Sequence, residues 1–246
     1  MKHFYFKQLL LVLGLMVSID ASAAYVYDGI YYIFKPEGAV VYETPSNAPK
    51  YSGKVKIPET IQHNGNTYTV VRIEENAFAN CVDLETVSIP NTVTWIGLYA
   101  FLNCTSLTTV TIRGHKGLTG IGVGAFQGCT SLKSFTVPNS VIKILDSAFQ
   151  YCTGLEKITI GKSVTEIKGL VFDGCTSLSD IYCKAEVPPT LKKQSFNKTT
   201  RVIGKLHVPE GSIDKYKDSE FWQEFGTIEP LQPVDPNIHL LQTPNE

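Results

Sequence analysis

Six cysteines, five histidines and 23 Asp and Glu carboxylates are the side chains in this 246-residue chain that can attack, ligate or move protons. Their spacing decides whether any of them do. His63, His115, His207 and His239 stand far apart, no two at metal-ligand spacing, and no Cys-x-x-Cys occurs. No Gly-x-Ser-x-Gly elbow or P-loop is present. The run Gly120-Ile-Gly-Val-Gly124 lacks the third glycine of a dinucleotide fingerprint. Glu156, Glu166, Asp146 and Asp180 fall at outward positions of a repeating pattern and read as solvated. The sequence therefore points away from an enzyme and implies no cofactor and no metal. A hydrolase site assembled across distant segments remains only a remote alternative.

The cysteines matter instead as position markers. Cys81, Cys104, Cys129, Cys152 and Cys175 follow one another at intervals of 23, 25, 23 and 23 residues. Each lies three residues after a phenylalanine: Phe78, Phe101, Phe126, Phe149 and Phe172. Each is followed three residues later by leucine, then by an alternating pair such as Val87/Ile89, Val110/Ile112 or Ile158/Ile160. Pairs such as Val93/Ile96, Leu118/Ile121 and Val141/Ile144 lead back to the next Ala-Phe. A repeat of this length cannot bury its own apolar side, so neighbours must stack.

Each unit translates into local structure. Ala, Phe and Cys at i, i+1 and i+4 share one side of a single helical turn. The following Leu-x-x-Val-x-Ile switches to a period of two and predicts a short strand with its apolar side inward. Stacking then gives a parallel sheet, and the chain reads as a leucine-rich repeat solenoid. Its expected form is a right-handed superhelix of short parallel β-strands and single helical turns, with a β-rich N-terminal cap and a mixed C-terminal cap. The expected organisation is a signal peptide over 1–23, the N-terminal cap over 24–68, about five repeats over 69–183, the C-terminal cap over 184–230 and a flexible tail over 231–246. In the N-terminal cap, Asn64-Gly65 predicts a hairpin turn. In the C-terminal cap, Ser212 is expected to start a short helix carrying Ile213, Tyr216, Trp222 and Phe225. The two extra residues between Cys104 and Cys129 fall in 113–120, where His115-Lys116-Gly117 is expected to make a small bulging loop.

The repeated Ala-Phe-x-x-Cys-x-x-Leu-x-x-Val-x-Ile-Pro-x-x-Val-x-x-Ile-Gly resembles the BspA-like leucine-rich repeat. That family comprises surface or secreted proteins, mostly of host-associated bacteria. The resemblance covers about residues 25–230. It implies binding or adhesion to host proteins or cell surfaces, it does not imply catalysis, and it supplies no residue-level binding motif.

The remaining features bound location and partner. Lys2 and Lys7, the apolar stretch 9–19 and Ala21-Ser22-Ala23 have the form of a secretory signal peptide cleaved before Ala24. This predicts an exported chain (periplasm, cell surface or secreted), and no later stretch is apolar enough to be a transmembrane segment. With 22 Lys and Arg against 23 Asp and Glu, the net charge of −1 argues against nucleic acid as a partner. Six cysteines in an exported chain would ordinarily suggest disulfides. Stacked equivalents point in parallel, however, so a reduced ladder is expected, with Cys175–Cys183 the one pair left open. Function then falls to the exposed side of the strands: Thr86/Ser88, Thr109/Thr111, Ser134/Thr136, Lys157/Thr159 and Asp180/Tyr182. Trp95 and Tyr99 are a second candidate, since they replace variable surface residues of other repeats. They either contact a partner or pack against the N-terminal cap. A protein partner is favoured, with a carbohydrate-binding or surface-assembly role as the alternative.

Overall fold

The computed structural model describes residues 24–114, 117–192 and 194–232. The expected signal peptide, the His115-Lys116 loop and residues 233–246 lie outside the described residues. Three strands open the chain: β1 (Tyr25–Tyr27), β2 (Ile30–Lys35) and β3 (Gly38–Val41), joined antiparallel. Next come β4 (Gly53–Lys56) and the hairpin β5 (Thr60–His63) and β6 (Asn66–Ile73). Asn64 and Gly65 turn that hairpin with φ of 48° and 76°, the double left-handed geometry an Asn-Gly pair favours.

Each following repeat supplies one longer strand and one two-residue strand. These are β7 (Leu84–Ile89) with β8 (Trp95–Ile96), β9 (Thr109–Ile112) with β10 (Gly120–Ile121), and β11 (Ser134–Thr136) with β12 (Lys143–Ile144). Then come β13 (Lys157–Ile160) with β14 (Glu166–Ile167), and β15 (Asp180–Cys183) with β16 (Thr190–Leu191). The helix Lys198–Ile203, β17 (Lys205–Val208), the helix Ile213–Lys217 and β18 (Thr227–Pro230) complete the described fold.

The solenoid has three sides. The two-residue strands continue β3 and β6 as one parallel ladder running to β16. The longer strands form a second side, β4-β7-β9 and then β11-β13-β15-β17-β18, with no pairing between β9 and β11. The Ala-Phe turns form the third. There, Phe78, Phe101, Phe126 and Phe149 N–H groups donate to the carbonyls of Ala100, Ala125, Ala148 and Val171 one repeat on, at 2.7–3.0 Å. Each turn closes with i→i+3 bonds, such as Cys81 N–H to Phe78 C=O at 3.1 Å. Two left-handed residues per repeat end these turns, including Asn76, Tyr99 and Ser147 at one position and Asn80, Asn103 and Tyr151 at the other.

The core is a column of rings. Phe78, Phe101, Phe126, Phe149, Phe172 and Phe196 are buried and stack in succession at 4.7–5.6 Å, with Tyr51 capping one end and Phe225 and Trp222 the other. Offset stacking at such distances favours these pairs beyond simple burial. Beside the rings runs a column of thiols. The Sγ atoms of Cys104, Cys129, Cys152 and Cys175 donate to the carbonyls of Phe78, Phe101, Phe126 and Phe149 at 3.1–3.2 Å. Cysteine suits this site because it is small, apolar and still a weak donor. All six cysteines, Cys183 included, are free and buried. Burial pushes the Cys81 and Cys183 thiols up to about 12 and about 11, and raises Cys129 as well.

Two local expectations need correction. Val110 and Ile112, inward by pattern, are only half-buried: β9 pairs with β7 on one edge, but among the described residues no strand pairs with its other edge, toward β11. The C-terminal helix ends at Lys217, so Trp222 and Phe225 sit on a separate 3-10 turn entered through Phe221 at φ 65°. The Ser212 side chain makes no cap bond; its hydroxyl donates to the Glu186 carbonyl at 2.9 Å. Trp222 is anchored by its own indole N–H on the Pro189 carbonyl at 2.7 Å.

Candidate binding face

Register turns the exposed strand side into two rows. One runs Lys54–Thr86–Thr109, then across the break Ser134–Lys157–Asp180–Lys205–Thr227. The other runs Lys56–Ser88–Thr111, then Thr136–Thr159–Tyr182–His207–Glu229. Every strand-face candidate from the sequence lies in these rows, each exposed or half-exposed. The ends of the rows escaped sequence reasoning. Lys54-Val-Lys-Ile-Pro58 has the same shape as Thr86-Val-Ser-Ile-Pro90, and that match is the signal that would have placed Lys54 and Lys56. Lys205-Leu-His-Val-Pro209 carries the corresponding signal for Lys205 and His207.

The chemistry concentrates at the C-terminal half. Lys157 Nζ lies 4.2 Å from the centre of the Tyr182 ring, and His207 stacks on the other face at 4.2 Å with the planes 6° apart. His207 sits between two carboxylates, Asp180 Oδ1 at 3.4 Å from Nε2 and Glu229 Oε1 at 3.1 Å from Nδ1. The Ser179 hydroxyl donates to Asp180 Oδ2 at 2.7 Å, and this bond leads the lowering of the Asp180 pKa, with His207 and Lys205 adding to it. Asp180 is thus part of a polar cluster rather than a freely solvated carboxylate. Glu166 is bridged by Lys143 and Lys168, which hold its carboxyl below the usual range. Asp146 Oδ1 accepts from the Gly169 N–H at 3.1 Å. Glu156 pairs with Lys133 at 3.1 Å, fully on the surface.

Trp95 and Tyr99 belong to a different side, and their partner is the next repeat rather than the N-terminal cap. A Cβ on Gly120 would sit 2.1 Å from Trp95 Cζ3, and one on Gly124 would sit 2.3 Å from Tyr99 Cε1. The glycine run is therefore the bed on which these two rings lie. Arg72 approaches the Trp95 ring at 6.0 Å from the preceding strand. Both aromatics stay half-exposed. Among the described residues, no group of three His, Cys, Asp or Glu is placed to hold a metal, and no helix is long and apolar enough to cross a membrane.

Stacked, near-identical turns around one ring column define a parallel-strand repeat solenoid. The model of the BspA type leucine rich repeat region matches residues 71–202 and 113–225, in six copies. The chain belongs to that family, whose repeats in general serve protein interaction at surfaces and are typically not catalytic. It is similar to a leucine rich repeat protein of T. pallidum, at 30% identity over 62% of this chain and 67% of that one, with a TM-score of 0.54. It also matches a leucine rich cell surface protein of Faecalibacterium prausnitzii, at 21% identity over 85% and 73% of the two chains, TM-score 0.44. A leucine-rich repeat protein of Bacteroides capillosus matches at 22% identity over 66% and 99%, TM-score 0.44. No curated protein matches the chain.

Proposed function

We propose that this chain is an exported, non-enzymatic binding protein that engages a protein partner through the exposed side of its longer strands. The observation that carries the choice of partner is the cover on Tyr182. A sugar recognised by stacking needs an open aromatic face, and Lys157 and His207 occupy both faces of this ring. What the patch offers instead is fixed charge, with Lys157 and Lys205 beside Asp180 and Glu229, along with small hydroxyls that admit close approach. Charges held in place by stacking and hydrogen bonds suit an interface that selects its partner by electrostatic complementarity. The signal-like segment 1–23 and the family support the exported location.

The test is capture by the mature protein from host and bacterial surface extracts, compared with variants of equal stability. Lys157→Glu, or bulky replacement of Thr111 and Thr136, should reduce recovery of the captured protein severalfold. His115→Ala with Lys116→Ala probes the competing loop. Loss of capture in the loop variant alone, or specific retention on a glycan array with no protein captured, would overturn the reading.

A further inference from the structure

The row of longer strands begins at β4, and β4 has a partner on one side only. Its sheet order is β4-β7-β9, so among the described residues its outer edge is unpaired. Gly53 and Ile57 N–H groups donate to Asp83 and Ser88 carbonyls on the β7 side, at 2.8 and 2.9 Å. Peptide groups alternate in direction along a strand, so Lys54 and Lys56 present their N–H and C=O groups to the open edge. An edge of this kind is a template for another strand.

The edge borders an open groove of about 520 Å³. Residues 26 and 28–31 of the β1–β2 hairpin and residues 49–52 line it together with β4. Exposed Val26 and half-buried Tyr31 and Val55 belong to its apolar lining. Lys50, Lys54 and Lys56 are exposed around it, against Asp28 alone. None of these lysines enters a salt bridge among the described residues. Lysines on an edge repel a neutral or basic strand, since pairing would strip their water without returning a counter-charge. An acidic strand returns that charge.

We propose that an acidic, extended peptide segment of another protein adds as a strand to the outer edge of β4. The pattern it must carry follows from the alternation of the strand. Residues beside Lys54 and Lys56 are carboxylates, and those between them are apolar and turn toward Val55 and Tyr31. Backbone bonds supply the attachment and the alternating side chains the selectivity. This site is distinct from the patch around Tyr182, and either can fail without the other.

The probe is an acetylated, fluorescein-labelled octapeptide alternating Glu and Val, titrated with the full chain and followed by anisotropy. Two further peptides are N-methylated, one at every Glu and one at every Val, which removes donors from one edge of the peptide at a time. One methylated peptide should lose at least tenfold in affinity and the other should bind like the parent. Lys54→Glu with Lys56→Glu should also weaken binding at least tenfold with an unchanged melting temperature, and added salt should weaken the parent complex. Lys157→Glu should leave the affinity unchanged. Equal binding of the two methylated peptides, normal binding by the lysine pair variant, loss of binding in Lys157→Glu, or no binding at about 1 mM would each overturn the proposal.

Discussion

Replacing Gly120 with alanine should have opposite effects depending on what stands at position 95. In the wild-type chain the new methyl would lie 2.1 Å from Trp95 Cζ3 and 2.7 Å from Cε3. Carbon atoms rest about 3.5–4.0 Å apart, so the ring must swing away or the Gly120–Trp95 register of β10 on β8 must open. Overpacking of this kind costs about 1–3 kcal/mol. Gly120 has no left-handed φ, so alanine fits its backbone and gains about 0.4–1 kcal/mol by restricting the unfolded chain. The net expectation is a loss of up to about 2.6 kcal/mol, about 1.3 at the midpoints of these two estimates. In a Trp95→Ala background the clash is gone, and the same change should stabilise by about 0.4–1 kcal/mol. The coupling between the two positions is then the overpacking cost itself, about 1–3 kcal/mol, above the few tenths that independent sites show. Urea unfolding of the four proteins, with m-values compared, measures it. An equal cost for Gly120→Ala in both backgrounds would show that Trp95 does not lie on Gly120.

Other outcomes follow from the core and the surface. Phe126 is fully buried, with Phe101, Phe149 and Phe135 against it at 5.0, 5.3 and 5.0 Å. Phe126→Ala should therefore cost about 3–5 kcal/mol in denaturant unfolding, and less than about 1 would contradict the ring column. A thiol reagent should find almost no reactive cysteine in the native protein and all six in denaturant without reductant; a mass showing three disulfides would refute the reduced column. The Asp180 pKa is depressed in the folded protein, so its contribution is present above its ordinary value of 3.8 and is lost as pH falls through the lower folded value. Asp180→Asn should flatten that acid limb of a stability–pH curve, and an unchanged limb would sink the assignment. Intact mass of the exported protein should lack the first 23 residues, and a retained N-terminus would rule out cleavage before Ala24.

The inward side of this fold was legible because burial imposes one residue type at one spacing, repeat after repeat. Phe78 through Phe172 could be placed with certainty of phase, since each ring must meet the ring above and below. The outward side was legible only as a set of positions. Which outward residues interact depends on cross-strand register, and the pairing of Lys157, Tyr182 and His207 joins residues 25 apart in sequence at each step. The glycine run shows another limit. Phase explained where Gly120 and Gly124 stand, but not why glycine is needed there, because the reason is a side chain in the preceding repeat. Val110 and Ile112 kept the inward pattern although β9 is paired only to β7 and not to β11. Pattern records which face a residue belongs to, and the completeness of the cover is set elsewhere.

The missing pairing between β9 and β11 gives the molecule a joint. On the other two sides the connection across the same point is intact, through β8-β10-β12 and through the bonds of Tyr99, Phe101 and Asn103 to Val123, Ala125 and Gln127. The arrangement resembles a book bound along its spine and open at its fore-edge. Bending that widens the strand side at this point breaks no hydrogen bond of the ladder, whereas the same motion at any other repeat must stretch several. Under tension or against a curved partner, the two halves of the strand face can therefore change their mutual angle here first, and each half keeps its own arrangement of side chains as it moves.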